Sequence, residues 1–163
     1  MSVFKSQFSR ALRVIPTDNA NVPFPATISI GTNTSVSVSS LVASSALFIT
    51  DNVNTGDIVY NTTDGTAATV LVVVNETTLL LNADIFLATG KSFTVYQASS
   101  QTTIGNQGCY LYVGVSGNVA VTTIGNDEIT FVGVPTGTIL PVQVLKVKSS
   151  ASGTTATFIN ALW

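Results

Sequence analysis

GCYLYVGVSGNVAVTTIGNDEITFVGVPTGTILPVQVLKVKSSASGTTATFINALW, residues 108–163, is the stretch whose reading decides the fold. Short apolar runs alternate there with Gly, Asn, Pro and Ser/Thr turns, the pattern of a small antiparallel β domain. Its last strand, Thr154 to Trp163, is expected to be structural to the final aromatic residue. Thr155, Thr157, Ile159 and Ala161 fall on one face of that strand, and Ala156, Phe158, Asn160 and Leu162 on the other. From Ile139 to Lys148 the alternation puts Ile139, Pro141, Gln143, Leu145 and Val147 on one side. Leu140, Val142, Val144, Lys146 and Lys148 take the other, so the strand begins apolar on both faces. Pro141 cannot donate to a ladder and marks an edge position or a bulge. An edge strand of this kind needs a partner, which makes Pro141, Val142, Val144 and the closing Trp163 candidates for subunit contact.

Upstream, three zones appear. Residues 1–25 end in Val22-Pro23-Phe24-Pro25, where two prolines enforce extended backbone. Residues 26–98 read as a β-rich block, with Thr27 to Ile30 and Ser35 to Ser39 alternating at period 2. Asp57 to Asn61 offers an Ile58/Tyr60 face, and further strands run over Thr69 to Val74, Thr77 to Leu81 and Ser92 to Tyr96. Asp64-Gly65 is a strong tight-turn dipeptide, and Asn75-Glu76 joins two of the strands. Five or six short strands in this space suggest a small SH3-like or OB-like barrel. Leu41 to Phe48 is the one piece that reads as a helical turn or two. The polar stretch 99–107 reads as a linker. TTIGN at Thr102 to Asn106 returns at Thr122 to Asn126, a hairpin rhythm too sparse for a solenoid.

Composition narrows the setting. Of 163 residues, 9% are charged and 45% hydrophobic, against about 25% charge in ordinary soluble domains. Mean hydropathy is +0.48. A surface so poor in charge is covered by Ser, Thr and Asn, by other chains, or by both. No run approaches the roughly 18 apolar residues of a membrane helix, and a regular series of outer-membrane strands is missing, so no membrane partner is expected. A formal charge of −2 argues against nucleic acid. Phe4, Phe8 and Leu12 recur at helical spacing beside Lys5, Arg10 and Arg13. Residues 1–12 thus form either a frayed terminus or an arm that docks on a neighbour.

Three pieces of the chain resemble a family. They are YVGVSGNV (Tyr112 to Val119), read as a hairpin, TFVGVPTGTILPVQVLKV (Thr130 to Val147) and GTTATFINALW (Gly153 to Trp163). Together with Arg13-Val14-Ile15-Pro16-Thr17-Asp18-Asn19, running on to Pro23, they resemble small virion proteins of tailed bacteriophages and gene transfer agents, described as head-spike base or structural proteins. In shorter relatives the Arg13 segment directly precedes the hairpin. The resemblance therefore implies that residues 13–25 and 108–163 make one terminal β domain, a small sandwich or barrel, with 26–98 inserted into it. A plain tandem of two β domains is the alternative. Residues 13–23 are expected to pack on the 108–163 domain and not on the 26–98 block.

The chemistry-bearing residues give little. There is no histidine and a single cysteine, Cys109, expected to be buried. Gly114-Val115-Ser116-Gly117-Asn118 lacks the second glycine of a nucleophile elbow and reads as a β-turn. Asp51 to Asp57 lacks the ligands of a calcium loop and reads as a turn. Asp127 and Glu128 are adjacent and point apart on a strand. Asp57, Asp64 and Asp84 lie at strand ends and could gather on one rim as a weak cation or glycan site, or stand as solvated turn residues. Asn33, Asn61 and Asn75 each open an N-x-S/T triplet of the kind expected by chance in a Thr-rich chain. No catalytic residue, metal or cofactor is implied. The expectation is a non-enzymatic subunit on a phage particle surface, a head decoration or spike-base protein. It would be homo-oligomeric, as a trimer or pentamer, and held to the major capsid protein or other virion proteins. A tail or baseplate component is the alternative within the virion. A carbohydrate-binding adhesin is the alternative outside it, with Tyr60, Tyr96, Tyr110, Tyr112 and Trp163 as its candidate aromatics.

Overall fold

A computed structural model describes residues 8–98 and 108–163; Phe4, most of the 1–12 arm and the 99–107 stretch lie outside the described residues. The protein is all-β, built as two antiparallel six-stranded sheets. The strands are β1 (Ala11–Arg13), β2 (Thr27–Thr32), β3 (Ser40–Val42), β4 (Ile58–Asn61), β5 (Thr66–Asn75) and β6 (Thr78–Leu81). They continue as β7 (Ser92–Tyr96), β8 (Cys109–Val115), β9 (Gly117–Thr123), β10 (Glu128–Val134), β11 (Thr138–Val147) and β12 (Thr157–Leu162).

One sheet runs β2-β7-β4-β5-β6-β3 and takes all its strands from residues 27–96. It curls until a Ser35–Val42 bridge and the Thr34 N–H on the Val42 carbonyl join its two edges. Its interior is filled by Leu41, Phe48, Val59, Val70, Leu79, Phe86, Phe93 and Val95, all 2% exposed or less. Strand β4 is buried at all four positions. Val59 faces this interior, while Ile58 and Tyr60 face a second cluster with Ala20 and Ala67. Gly65, at φ +67, turns β4 into β5, and Glu76-Thr77 turns β5 into β6. Two expectations are corrected here. Ser35 to Ser39 contributes a single bridge and no strand, leaving Val36 and Val38 exposed. Leu41 begins in β3, and the chain to Phe48 continues as turns with no helix.

Burial also explains two of the Asn-x-Ser/Thr triplets. Asn61 is 0% exposed. Its amide donates to the Ile85 carbonyl at 2.8 Å and to Asp64 at 2.9 Å, and its oxygen accepts from the Thr63 and Asp64 N–H groups. Asn33, 1% exposed, spans three loop groups in the same way, on Ser35, Ala88 and Lys91. These are interior staples. Replacing Asn61 by Leu strands the Ile85 carbonyl and two N–H groups, each costing about 1 kcal/mol or more when buried. A loss of about 2–4 kcal/mol is expected by chemical denaturation, and a midpoint equal to the parent's would refute the staple role.

The other sheet runs β1-β12-β8-β11-β9-β10. Its core holds Leu111, Val113, Val119, Val121, Val144, Ile159 and Ala161, with Val14 and Val22 added from the N-terminal segment. The expected Tyr112 to Val119 hairpin does not form. Strands β8 and β9 share no pairing, because β11 lies between them. The first half of β11 pairs with β8 (Ile139 with Tyr112) and its second half with β9 (Val147 with Val121). Gly114 to Asn118 is therefore a bend where the chain passes from one side of β11 to the other, and the expected β-turn reversal is absent. Gly117 permits it, since a Cβ there would press on the Ala156 backbone.

Candidate interaction surfaces

Strand β11 is internal to its sheet, which corrects the reading of a free edge. Its register shifts between Leu140 and Val144, the bulge that Pro141 signals. A second register shift, between Val144 and Lys146, breaks the period-2 alternation, so that Val147 joins Leu140 and Val144 on the core face. Val144 is 0% exposed and presents nothing to a partner. Pro141 is exposed, and Val142 is half-buried against the core.

The N-terminal segment runs between the two sheets. Three of its N–H groups bond to the terminal sheet: Val14 N–H to Ile159, Thr17 N–H to Val147 and Val22 N–H to Leu145. Asp18 accepts from the Ser149 N–H and from the Ser149 and Ser152 hydroxyls, and Lys146 donates to the Asp18 carbonyl. Its other side meets the curled sheet, contrary to the expectation that it would avoid residues 26–98. Ala20, Leu12 and Ile15 pack with Ile58, Tyr60 and Ala67, while Thr69 and Asn82 donate to the Asn19 carbonyl. The physical reason is that the segment lies between two apolar surfaces and divides its side chains between them, Val14 and Val22 to one and Leu12, Ile15 and Ala20 to the other.

The Ser149 hydroxyl beside Asp18 holds its carboxyl below the ordinary carboxylate range, with burial opposing and Ser152, the Ser149 N–H and Lys148 assisting. A lowered native pKa contributes stability above the unfolded value of 3.8 that is lost as pH falls through the native one. The melting temperature is expected to fall on acidification below that point, and Asp18→Asn should flatten this part of the profile. An unchanged profile in the variant would remove Asp18 from the account.

The aromatic termini meet at one end of the terminal sheet. Phe8 lies against Tyr110 with ring centroids 5.7 Å apart. Trp163, half-buried, stands edge-on to Phe24 at 5.9 Å, and Arg10 lies over the other ring at 5.1 Å while donating to the Pro25 carbonyl. Leu12 belongs to the cluster between the sheets. Of the candidate contact residues that are described, Phe8, Leu12 and Trp163 are thus engaged within the chain.

The acidic residues do not assemble. No group of three or more His, Cys, Asp or Glu residues suited to a metal ion occurs among the described residues. Asp57 is buried at 2% exposure, which raises its pKa, while the Asn54 and Ala98 N–H groups it accepts pull the other way. Asp64 pairs with Lys91 at 2.8 Å. Burial pushes the Cys109 thiol up to about 12, so it is inert at neutral pH. Tyr60 and Tyr96 stack edge-on at 5.2 Å beside an open cleft of about 440 Å³ lined by Leu12, Ile15 and Pro16. Tyr60 is only 4% exposed and offers no stacking face.

The exposed apolar residues are what the sequence left unplaced. On the curled sheet Val72 and Leu80 are register partners, 46% and 37% exposed. On the terminal sheet Tyr112, Ile139, Phe158, Ile129 and Val132 are exposed. Among the described residues no helix is long and apolar enough to cross a membrane. Comparison with protein-family models, curated proteins and solved structures finds no match to this chain.

Proposed function

We propose that this chain is a non-enzymatic virion structural protein, a head decoration or spike-base-like subunit that works by adhesion over area and associates with itself. The observation that carries the reading is the exposed apolar surface on both sheets of a chain with 9% charged residues. Single exposed apolar residues are ordinary, but rows of them on adjacent strands are the mark of surfaces that other chains cover. The resemblance of Tyr112 to Val119, Thr130 to Val147 and Gly153 to Trp163 to small phage virion proteins supports the setting. On this reading the terminal sheet attaches to the major capsid protein or another virion protein, and the curled sheet projects from it.

Quantitative mass spectrometry of purified particles from the source of the gene tests this, together with antibody labelling of intact particles under the electron microscope. The chain is expected at a fixed copy number per particle, with label on the head surface. Absence from washed particles overturns the proposal, and label confined to the tail moves the protein to the baseplate reading.

A further inference from the structure

The terminal sheet has two edges, and they are not equivalent. At one, β1 is three residues long, and its Leu12 is packed among Ile58, Tyr60 and Ala67 of the curled sheet. At the other, β10 has no partner but β9 among the described residues. Edge strands are normally blunted by lysine, proline or a bulge. In β10 the irregularity lies after Phe131, with Gly133 at φ +65, so Glu128 to Phe131 forms a regular free edge that Val132 follows. It contains no lysine or proline, and its one charge, Glu128, is already paired with Lys148 at 2.7 Å.

The core also runs out past this edge. Ile129 and Phe131 sit opposite Val121 and Val119, hence on the core face of the sheet. Phe131 is half-buried, while Ile129 is 48% and Val132 79% exposed. A sheet whose apolar inner row continues to its last strand is completed by one more strand.

We infer that the missing strand is β10 of a second copy, paired antiparallel across a two-fold axis perpendicular to the sheet at Thr130. This rests on the self-association proposed above and names its surface. A two-fold axis satisfies both free edges at once, whereas head-to-tail pairing would set β10 against a β1 edge only three residues long. Opposed residues of an antiparallel pair share a face, so centring on Thr130 sets Ile129 against Phe131 of the second copy, both on the core side. Charge selects the orientation. Antiparallel pairing puts Glu128 beside Val132 of the other copy and keeps the two Asp127-Glu128 pairs at opposite ends. Parallel pairing brings the like charges together.

Sedimentation equilibrium on the full chain, with three variants, tests the inference. The parent is expected to double its mass reversibly with concentration. Val132→Lys, at an exposed site, should keep the parent's circular dichroism and melting curve yet lose the doubled mass at concentrations where the parent holds it. Thr130→Cys should form a disulfide dimer on mild oxidation, because opposed Cα atoms about 4.5–5.5 Å apart suit the bond. Val38→Cys, at an exposed turn beside the curled sheet, should not, and the buried Cys109 does not compete. If the parent associates and Val132→Lys does so equally, or Thr130→Cys fails to cross-link, the β10 pairing is wrong while self-association stands. A parent that stays monomeric at all concentrations overturns both. A monomeric parent that binds another virion protein in a Val132-dependent way gives the edge to that protein and also overturns the inference.

Discussion

Removing Leu162 and Trp163 is expected to unfold the terminal sheet, although both residues lie at its margin. Trp163 ties three segments together. Its carbonyl accepts the Ser9 and Arg10 N–H groups at 2.6 and 3.1 Å, and its N–H donates to the Arg10 carbonyl at 3.0 Å. Its ring meets Phe24, which Arg10 covers. Leu162 pairs with Ala11 on one side and Tyr110 on the other, so β1 loses a third of its register when it goes. A fully buried Trp removes roughly 150–250 Å² from water. At about 25 cal/mol per Å², the half-buried ring here contributes roughly 2–3 kcal/mol. Three backbone bonds add about 1 kcal/mol each. The sum, about 5 kcal/mol, is comparable with the entire stability of a small domain, roughly 5–15 kcal/mol. Removal of Met1 to Ser6 serves as the contrast and should leave folding intact. Thermal melts of the two truncations should separate by well over ten degrees. Equal melting curves would mean that the Trp163 clasp contributes nothing.

The clasp shows where sequence reading stops. That Trp163 is structural follows from its chemistry, because a large apolar ring at a strand end is costly to leave in water. That it meets Phe24 and Arg10 is a matter of topology, and no local pattern encodes a contact between opposite ends of a chain. The curled sheet was more legible at its centre, where β4, β5 and β6 pair in sequence order; β2, β3 and β7 join it from a distance. Asp64-Gly65 and Glu76-Thr77 close local turns, the second one residue later than Asn75-Glu76, and period-2 alternation runs along the strands between them. Val36 and Val38 misled because alternation alone cannot tell a strand from a solvent-facing loop. In the terminal sheet, β11 enters between β8 and β9 from a distance, and its second register shift changes face parity between Val144 and Lys146. Alternation counted straight through Val144 therefore assigns Val147 and Lys146 to the right strand with the wrong faces. The site was legible only as composition. A shortage of charge says that surfaces are covered, and which strands carry the exposed apolar rows depends on the sheet order.

Gly114→Ala is expected to be as damaging as the truncation, by a different route. Gly114 faces Phe158 across the β8–β12 pairing, between the registered pairs Thr157–Val115 and Ile159–Val113. A Cβ on Gly114 would stand 2.6 Å from the Phe158 carbonyl oxygen and 2.7 Å from its Cβ. Neither atom belongs to a flexible side-chain end, so β12 itself must move. It has little room to do so. Phe158 is already in the left-handed region at φ +55, a conformation that costs a bulky residue about 1–2 kcal/mol. It is held there by its neighbours in the ladder and by the Arg13 guanidinium, 4.3 Å over its ring. Moving it displaces Ile159, which is 1% exposed in the core. Overpacking of a tight site costs about 1–3 kcal/mol, and parting the two registered pairs raises the expected loss to roughly 3–5 kcal/mol. Gly133→Ala separates this steric cost from the ordinary cost of replacing a glycine. Gly133 has φ +65 but nothing within 4 Å of its missing Cβ, so its variant pays only the left-handed penalty of about 1 kcal/mol. Denaturant midpoints should therefore rank the parent first, Gly133→Ala slightly below it, and Gly114→Ala far below both. If Gly114→Ala matches Gly133→Ala, the close approach of β8 to Phe158 is not a constraint on this fold.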